Sequence, residues 1–271
     1  MKKIAIFGPP RSGTSWLSHI FNSHPDVALR FQPLFSYGHK GALSELSSRE
    51  EIQEFFQAIL NSTDPFTLME AESQKGYPSF KKSSTSTHLV FKETRYLQVI
   101  ENLLQAGDDV VVVGIIRDPL ATLASWVGAP KEFSSDWDVR EEWRLASKKN
   151  GGRAEEYFGF ERWKEAATNF LRFEAMYPER FRLIRYAALN QAPDFVISDL
   201  FGFCGLAMHP QVNDFIQQSR SRQSDDAYSI YRLPSDDLRW KMVLPDEIVD
   251  AVIRELDPSP LHEFIVRKFN A

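Results

Sequence analysis

Residues 4–21 read IAIFGPPRSGTSWLSHIF, and this stretch decides the fold. Four apolar residues lead into a loop bounded by Gly8 and Gly13, and apolar side chains at helical spacing follow. A strand, a glycine-bounded loop and a helix are typical of a phosphate-binding loop. Glycines let backbone N–H groups approach an anion, and the N-terminus of the helix attracts negative charge. The stretch therefore predicts an anion site within residues 8–15.

The loop lacks the lysine of nucleotide hydrolases. In those enzymes a lysine at the end of the loop binds the β- and γ-phosphates, and the next hydroxyl binds Mg²⁺. Thr14 stands at that lysine position, while Arg11 inside the loop supplies a positive charge. A guanidinium donates a fork of hydrogen bonds that suits phosphate or sulfate. The missing lysine argues against a Mg²⁺-dependent nucleotide kinase or triphosphatase, which stays an alternative.

Composition excludes several classes of protein. The chain has 271 residues and a formal charge of −5, so it has no overall basic field for a nucleic acid, and an anionic ligand needs a local pocket. One cysteine, Cys204, excludes an intramolecular disulfide and a multi-cysteine metal site, and we expect it to be a buried structural thiol. No apolar run approaches the ~20 residues of a membrane span. We therefore expect a cytoplasmic protein without a metal, and nothing here indicates its oligomeric state.

Strand-like runs alternate with helical patterns along the chain. The strand-like runs are Ile4–Phe7, Val27–Phe31, Leu89–Lys92, Val110–Ile116 and Phe181–Tyr186. Helical patterns follow Ser48, Tyr96 and Asp118, and others fit Glu161–Met176, Pro193–Cys204, Pro245–Leu256 and Leu261–Phe269. This alternation predicts an α/β fold, a three-layer αβα sandwich with a mainly parallel central sheet as in P-loop nucleotide-binding proteins. We expect one domain over residues 1–271, with loop insertions near 73–88 and 128–159.

A second group of residues lies in GIIRDPLATLASW, residues 114–126. Arg117 leaves the C-terminal end of an apolar strand, and ligands of open α/β sheets bind at those ends. Asp118 and Pro119 fit the cap and first position of a helix. Ser125 follows Arg117 by roughly two helical turns. Arg117 and Ser125 predict a second phosphate site; the alternative is a surface ion pair beside a helix-face serine.

Together, GPPRSGTSWL and RDPLATLASW resemble the two nucleotide-binding signatures of the sulfotransferase family, whose donor is 3′-phosphoadenosine 5′-phosphosulfate (PAPS). The resemblance implies that the loop holds the 5′-phosphosulfate and that the Arg117–Ser125 pair holds the 3′-phosphate. The donor-binding residues that it implies are Pro10, Arg11, Ser12, Gly13, Thr14, Ser15, Trp16, Arg117, Ser125 and Tyr186. PAPS has no γ-phosphate and the family needs no Mg²⁺, which accounts for the missing lysine.

The resemblance also implies a reaction, the in-line transfer of a sulfuryl group to a hydroxyl or amine. The segment LVFKETR is similar to the family's strand with a donor-contacting lysine, here Lys92. We expect Arg11 and Lys92 to neutralise the transferred group and the leaving phosphate. Glu93 is our candidate for the base that removes the acceptor's proton. Other candidates for this base are His88, Glu70 and Glu72.

Two positions depart from the family pattern. FNSHPDVALRFQPL is similar to the HPDV…EP segment of carbohydrate-type members, but Gln32 replaces the acid. The family's YEDL is Tyr186-Ala187-Ala188-Leu189 here, which lacks both acids. A catalytically inactive nucleotide-binding domain therefore stays an alternative. The HPDV segment favours a carbohydrate or another small-molecule acceptor, and the sequence does not name which one.

Overall fold

The computed structural model of the chain describes residues 1–71, 76–107 and 109–266. Within these residues, one five-stranded sheet has the strand order β2-β3-β1-β4-β5, and every neighbouring pair is parallel. The strands are β1 Lys2–Phe7, β2 Val27–Phe31, β3 His88–Glu93, β4 Val110–Ile116 and β5 Phe181–Arg185. The first strand is central, so the loop that follows it opens at the middle of the sheet's carboxyl edge. The predicted α/β fold is confirmed.

Helices cover both faces of the sheet. They are α1 Thr14–Ser23, α2 Arg49–Leu60, α3 Ile100–Ala106, α4 Pro119–Val127, α5 Val139–Glu142, α6 Ser147–Asn150, α7 Phe160–Met176, α8 Tyr186–Gln191, α9 Pro193–Cys204, α10 Pro210–Ser219, α11 Trp240–Val243 and α12 Asp246–Leu256. Successive side chains of a strand point to opposite faces. Accordingly, Ala5 and Phe7 of β1 pack into the core layer with α2, α3, α7 and α12. Ile4 and Ile6 pack into the other layer, with α1, α9 and α10.

Local capping chemistry sets several helix ends. Ser48 and Glu51 form a reciprocal capping box at the start of α2. The side chain of Asp118 accepts a hydrogen bond of 2.9 Å from the backbone N–H of Ala121 at the start of α4. Gly107 ends α3. These ends agree with the positions that the sequence predicts.

Other predicted boundaries differ from the structure. The helix predicted over Leu261–Phe269 is a short 3₁₀ helix, Pro260–Phe264, because the backbone at Ile265 is extended; residues 267–271 lie outside the described part of the chain. The pattern after Tyr96 begins as a 3₁₀ turn, Leu97–Val99, before α3. In the predicted insertion near 73–88, residues 73–75 also lie outside the description. The segment 128–159 contains α5 and α6.

Cys204 lies at the end of α9 with no exposed surface, in the same core layer as α1. Burial raises the pKa of its thiol to about 12, so the sulfur stays protonated. This burial confirms the prediction of a structural thiol. Separately, none of the helices in the described ranges combines the length and the apolar composition that crossing a membrane requires.

Candidate donor-binding site

The loop between β1 and α1 is packed so tightly that two of its positions require glycine. A Cβ on Gly8 would lie 2.6 Å from the carbonyl oxygen of Ile115 in β4. Gly13 has a φ of +93°, and a Cβ there would lie 2.5 Å from the ring of Tyr186. Gly13 also caps α1 without a side-chain hydrogen bond. The first N–H groups of α1 are therefore available to an anion in the loop.

The structure brings the second predicted phosphate site against this loop. Arg117 follows β4 and donates a hydrogen bond of 3.1 Å to the backbone carbonyl of Arg11. The Nε atom of Arg11 donates a hydrogen bond of 3.1 Å to Ser125 Oγ. Two segments about a hundred residues apart therefore meet through Arg11, Arg117 and Ser125, close enough for one nucleotide to contact both.

Each of the two arginines faces a carboxylate. Arg117 donates two hydrogen bonds to Asp237, with Nε 2.8 Å from Oδ2. Burial disfavours the charge on Arg117, but the hydrogen bonds to Asp237 and the negative charge of that carboxylate together more than offset burial, so the pKa of Arg117 is raised. A guanidinium nitrogen of Arg11 lies 3.6 Å from the carboxylate of Glu132. Burial lowers the pKa of Arg11, and Glu132 offsets part of this effect.

These side chains line one cavity of about 900 Å³. Nine of the predicted donor-binding residues line it together with Lys92: Pro10, Arg11, Gly13, Thr14, Ser15, Trp16, Arg117, Ser125 and Tyr186. The tenth, Ser12, is fully buried outside the lining, and its hydroxyl has no hydrogen-bond partner within the described residues. The cavity therefore gathers nearly all of the predicted donor-binding residues.

Two aromatic side chains form one wall of the cavity. The indole nitrogen of Trp16 donates a hydrogen bond of 2.9 Å to Ser219 Oγ. The ring of Tyr186 meets that of Trp16 edge to face, with the ring centroids 6.4 Å apart. The guanidiniums of Arg117 and Arg220 lie 4.9 Å and 5.7 Å from the ring centroids of Tyr186 and Trp16, respectively. This wall offers flat apolar surface and edge contacts for a purine base.

Lys92 and Glu93 are neighbours on β3 but point to opposite faces of the sheet. The Nζ atom of Lys92 lies 4.3 Å from the ring centroid of Phe31, and the side chain lines the cavity. Glu93 does not line it; one carboxylate oxygen accepts a hydrogen bond of 2.7 Å from the backbone N–H of Leu34. Burial lowers the pKa of Lys92 to about 7 and raises that of Glu93 to about 8. Both groups are thus pushed toward their neutral forms.

The base predicted from the sequence stays a prediction. Glu93 is enclosed on the far face of β3, and neither His88 nor Glu70 lines the cavity. Glu72 lies outside the described residues. Gln32, at the position of the family's acid, lines the cavity with a φ of +43°.

Sequence reasoning missed two acidic residues of the site, Glu132 and Asp237. Glu132 lies in the segment 128–159, where the sequence predicts a loop insertion without assigning a residue to the site. Asp237 lies in SDDLRWK, a polar stretch in the region similar to the family's C-terminal segment. That similarity was the available signal for Asp237. No spacing rule links either acid to its arginine, because each pair is joined only by the folded chain.

Known proteins resemble this chain over most of its length. A profile of the sulfotransferase family matches residues 3–210. Carbohydrate sulfotransferase 3 of Mus musculus is 21% identical over 97% of this chain and 67% of its own length. Carbohydrate sulfotransferase 5 of Mus musculus is 26% identical over 79% of this chain and 66% of its own length. The matches thus span about two thirds of the length of these relatives.

A solved structure shares the fold. Mouse sulfotransferase SULT7A1 complexed with PAP superposes with a TM-score of 0.57 at 13% identity, covering 97% of this chain and 86% of that one. The family match confirms the predicted activity, sulfuryl transfer with PAPS as the donor. The match covers most of the chain, including the loop at residues 8–15 and Arg117, and so the chain belongs to the sulfotransferase family.

Proposed function

We propose that this sulfotransferase moves the sulfuryl group of PAPS to a hydroxyl of a carbohydrate acceptor by in-line displacement, at the cavity described above. One observation carries the placement of the donor. The guanidiniums of Arg11 and Arg117 meet at one cavity, and Arg117 bonds directly to the loop that carries Arg11. Two guanidiniums in one cavity suit the two anionic ends of one doubly phosphorylated adenosine.

The nucleotide would lie across the carboxyl edge of the sheet. Arg117 and Ser125 would hold its 3′-phosphate. The N-terminus of α1 and the loop at residues 8–15 would hold the 5′-phosphosulfate. Trp16 and Tyr186 would pack against the adenine. Arg11, which bonds to Ser125, and Lys92 would approach the transferred group from the walls of the same cavity, which Phe31 and Gln32 also line, and an acceptor would bind there.

Catalysis would come mainly from positioning and from stabilisation of charge. Negative charge develops on the leaving phosphate as the bond between sulfur and the bridging oxygen breaks. Arg11 and Lys92 would stabilise it, and a donor anion beside Lys92 favours the charged form of that lysine. Removal of one such contact typically lowers a rate by about 10²–10³-fold.

The carbohydrate assignment rests on two observations. The two curated relatives described above are both carbohydrate sulfotransferases by name. In addition, the cavity of about 900 Å³ is at the upper end of the usual range for ligand sites, about 300–1,000 Å³, so it has room for an acceptor beside the nucleotide. Polar and charged side chains that suit sugar hydroxyls line it, among them Gln32, Thr94, Asn190 and Gln223.

Two measurements test the proposal. Calorimetry with adenosine 3′,5′-bisphosphate, ATP and GTP, each with and without Mg²⁺, should show a metal-independent preference for the bisphosphate. Tighter binding of ATP with Mg²⁺ would instead support the nucleotide kinase or triphosphatase alternative. Incubation with PAPS and pooled oligosaccharides, alcohols and phenols should then give products heavier by one sulfate. Bisphosphate binding without any such product would support the catalytically inactive alternative.

The cellular compartment bears on which acceptors the enzyme meets. We propose a cytoplasmic location, as expected from the sequence. Fractionation of cells that express the tagged full-length protein tests this location, and recovery in the membrane fraction would contradict it.

A further inference from the structure

Transfer to a hydroxyl releases a proton, and the side chains around the cavity determine where it can go. Among the described residues that line the cavity, the carboxylates belong to Glu132, Asp236 and Asp237, and there is no histidine. Gln32 stands where the family pattern has an acid, and an amide does not accept a proton at neutral pH. The acceptor of the proton is therefore to be sought among these three acids.

Two of the three carboxylates are already engaged at the end of the cavity near Arg117. Both oxygens of Asp237 accept hydrogen bonds from Arg117. Asp236 is exposed, and its Oδ1 atom accepts a hydrogen bond of 3.2 Å from the backbone N–H of Leu238. Both lie beside the arginine that we assign to the 3′-phosphate, at the far end of the nucleotide from the sulfuryl group.

Glu132 differs from these two aspartates in its hydrogen bonding and in its position. Its Oε2 atom is buried and has no hydrogen-bond partner within the described residues. The nearest guanidinium nitrogen of Arg11 is 3.6 Å away, which is too long for a hydrogen bond. A buried carboxylate oxygen without a partner is costly unless a ligand completes it. This oxygen therefore has a free acceptor position beside the residue that we place on the sulfuryl group.

The backbone around Glu132 holds this carboxylate in place. The N–H of Glu132 donates a hydrogen bond of 2.8 Å to the carbonyl of Ala129, and its own carbonyl accepts one of 3.1 Å from the indole of Trp126 in α4. Phe133, the next residue, packs its ring against Trp126 with the centroids 5.1 Å apart. A turn anchored to a core tryptophan gives the side chain the fixed position that a proton acceptor needs.

The charges around Glu132 are those of the reacting centre. Its carboxylate interacts electrostatically with Arg11, Lys92 and Lys149, and with the hydroxyl of Tyr228. Arg11 and Lys92 are the two cations that we place on the sulfuryl group. The carboxylate therefore interacts with the same two cations that we place on the transferred group.

We propose that Glu132 accepts the proton of the acceptor hydroxyl, an inference that rests on the proposed function. As the acceptor oxygen forms its bond to sulfur, the bond from sulfur to the bridging oxygen breaks. Adenosine 3′,5′-bisphosphate leaves with that electron pair, and the hydroxyl proton passes to Oε2 of Glu132. Arg11 then pairs with the donor instead of with this carboxylate.

The test uses water as the acceptor, so the natural acceptor need not be known. Release of inorganic sulfate from PAPS is measured against pH for the full chain and for Glu132→Gln, with calorimetry of adenosine 3′,5′-bisphosphate alongside. We expect Glu132→Gln to release sulfate at least about 10²-fold more slowly and to lose the fall in rate at low pH. Its affinity for the bisphosphate should stay within about threefold, or become tighter. Glu132→Asp should keep part of the rate. Glu141→Gln, an exposed acid in the same segment, should match the original chain.

Three outcomes would overturn the inference. If Glu132→Gln keeps the original rate and pH profile, Glu132 does not take the proton, and tighter binding of the bisphosphate in that variant would show that Glu132 only neutralises Arg11 before the donor arrives. Loss of bisphosphate binding in this variant would make its role structural. If the original chain binds the bisphosphate but releases no sulfate at any pH, no base acts on water at this position. Failure of the original chain to bind the bisphosphate is a separate result, which rejects the proposed function itself.

Discussion

Arg117 donates two hydrogen bonds to the carboxylate of Asp237, so the guanidinium assigned to a 3′-phosphate already holds an anion. The contact is largely shielded from solvent, since the two side chains are 18% and 11% exposed. Asp237 has a φ of +60°, in the left-handed region that residues with a side chain seldom adopt. A phosphate that binds Arg117 would therefore compete with this carboxylate for the guanidinium.

Replacement of Asp237 by Asn should strengthen the binding of adenosine 3′,5′-bisphosphate by about tenfold, because Arg117 no longer has a competing charged partner. Adenosine 5′-phosphate, which does not need Arg117, should gain much less. Calorimetry of both nucleotides measures the difference. The control Asp236→Asn removes the same charge from the adjacent residue and leaves the pair of Arg117 and Asp237 intact. It should change the affinities for the two nucleotides equally. Weaker bisphosphate binding in Asp237→Asn would mean that Asp237 positions Arg117 for the phosphate.

Replacement of Arg117 by Ala should lower the affinity for adenosine 3′,5′-bisphosphate by about 10²-fold. This is the effect of losing roughly 2–3 kcal/mol of charged hydrogen bonding. Binding of adenosine 5′-phosphate should change by less than about threefold. The same calorimetry measures both values, and a thermal melt checks that the variant is folded. An equal loss for the two nucleotides would show that the 3′-phosphate does not bind at Arg117.

Donor binding should depend on pH through Lys92. Because burial lowers the pKa of the free enzyme's Lys92 to about 7, this lysine is largely neutral above that pH. A bound anion favours the charged form, so binding above pH 7 takes up a proton and the affinity falls as the pH rises, by up to about tenfold per pH unit. Calorimetry at pH 8 in two buffers with different ionisation enthalpies measures this uptake.

The matched variant for this pH effect is Lys92→Met, which should bind the bisphosphate more weakly and without the uptake. Lys92→Arg should bind with little dependence on pH, since a guanidinium keeps its proton. If the original chain takes up no proton at pH 8, Lys92 does not respond to the donor in this way.

Gly13→Ala should destabilise the fold by about 3 kcal/mol or more, because the new Cβ would overlap the ring of Tyr186 in addition to straining the backbone. Gly41 provides the control. Its φ of +64° imposes a similar strain, but no atom lies within 4 Å of a Cβ built there. Gly41→Ala should cost only about 1 kcal/mol. Urea denaturation measures both free energies of unfolding, and equal values would show that the ring of Tyr186 yields at little cost.

Much of the fold follows from local rules. The strands Val27–Phe31 and Val110–Ile116 have the predicted bounds, because continuous or alternating apolar residues carry the signal directly. The capping residues Ser48 and Asp118 likewise mark the starts of their helices directly in the sequence, because their side chains bond to the first turn. Helix type near Leu261 was less predictable, since a short apolar pattern does not distinguish a 3₁₀ turn from an α-helix.

The site was predictable only where a signature marks it. Arg11, Ser125 and Arg117 belong to recognisable segments, and the structure brings them together. The carboxylates of Glu132 and Asp237 come from loops whose paths depend on tertiary packing, so sequence spacing did not reveal them. Strand alternation predicts that Lys92 and Glu93 point to opposite faces of the sheet. Which of the two faces the cavity is visible only in the folded chain, where Lys92 of β3 lies beside Phe31 of β2.

Because Cys204 is fully buried, the reactivity of its thiol reports local opening of the core around it. Its sulfur sits in the layer that also contains Trp16 and Leu17 of α1, so a maleimide reagent reaches it only when that layer opens. Labelling kinetics followed by mass spectrometry would then report how often the layer detaches, without an engineered probe. A nucleotide bound at the first turn of α1 should slow this labelling, so the rate of labelling of one native thiol would report whether the cavity is occupied.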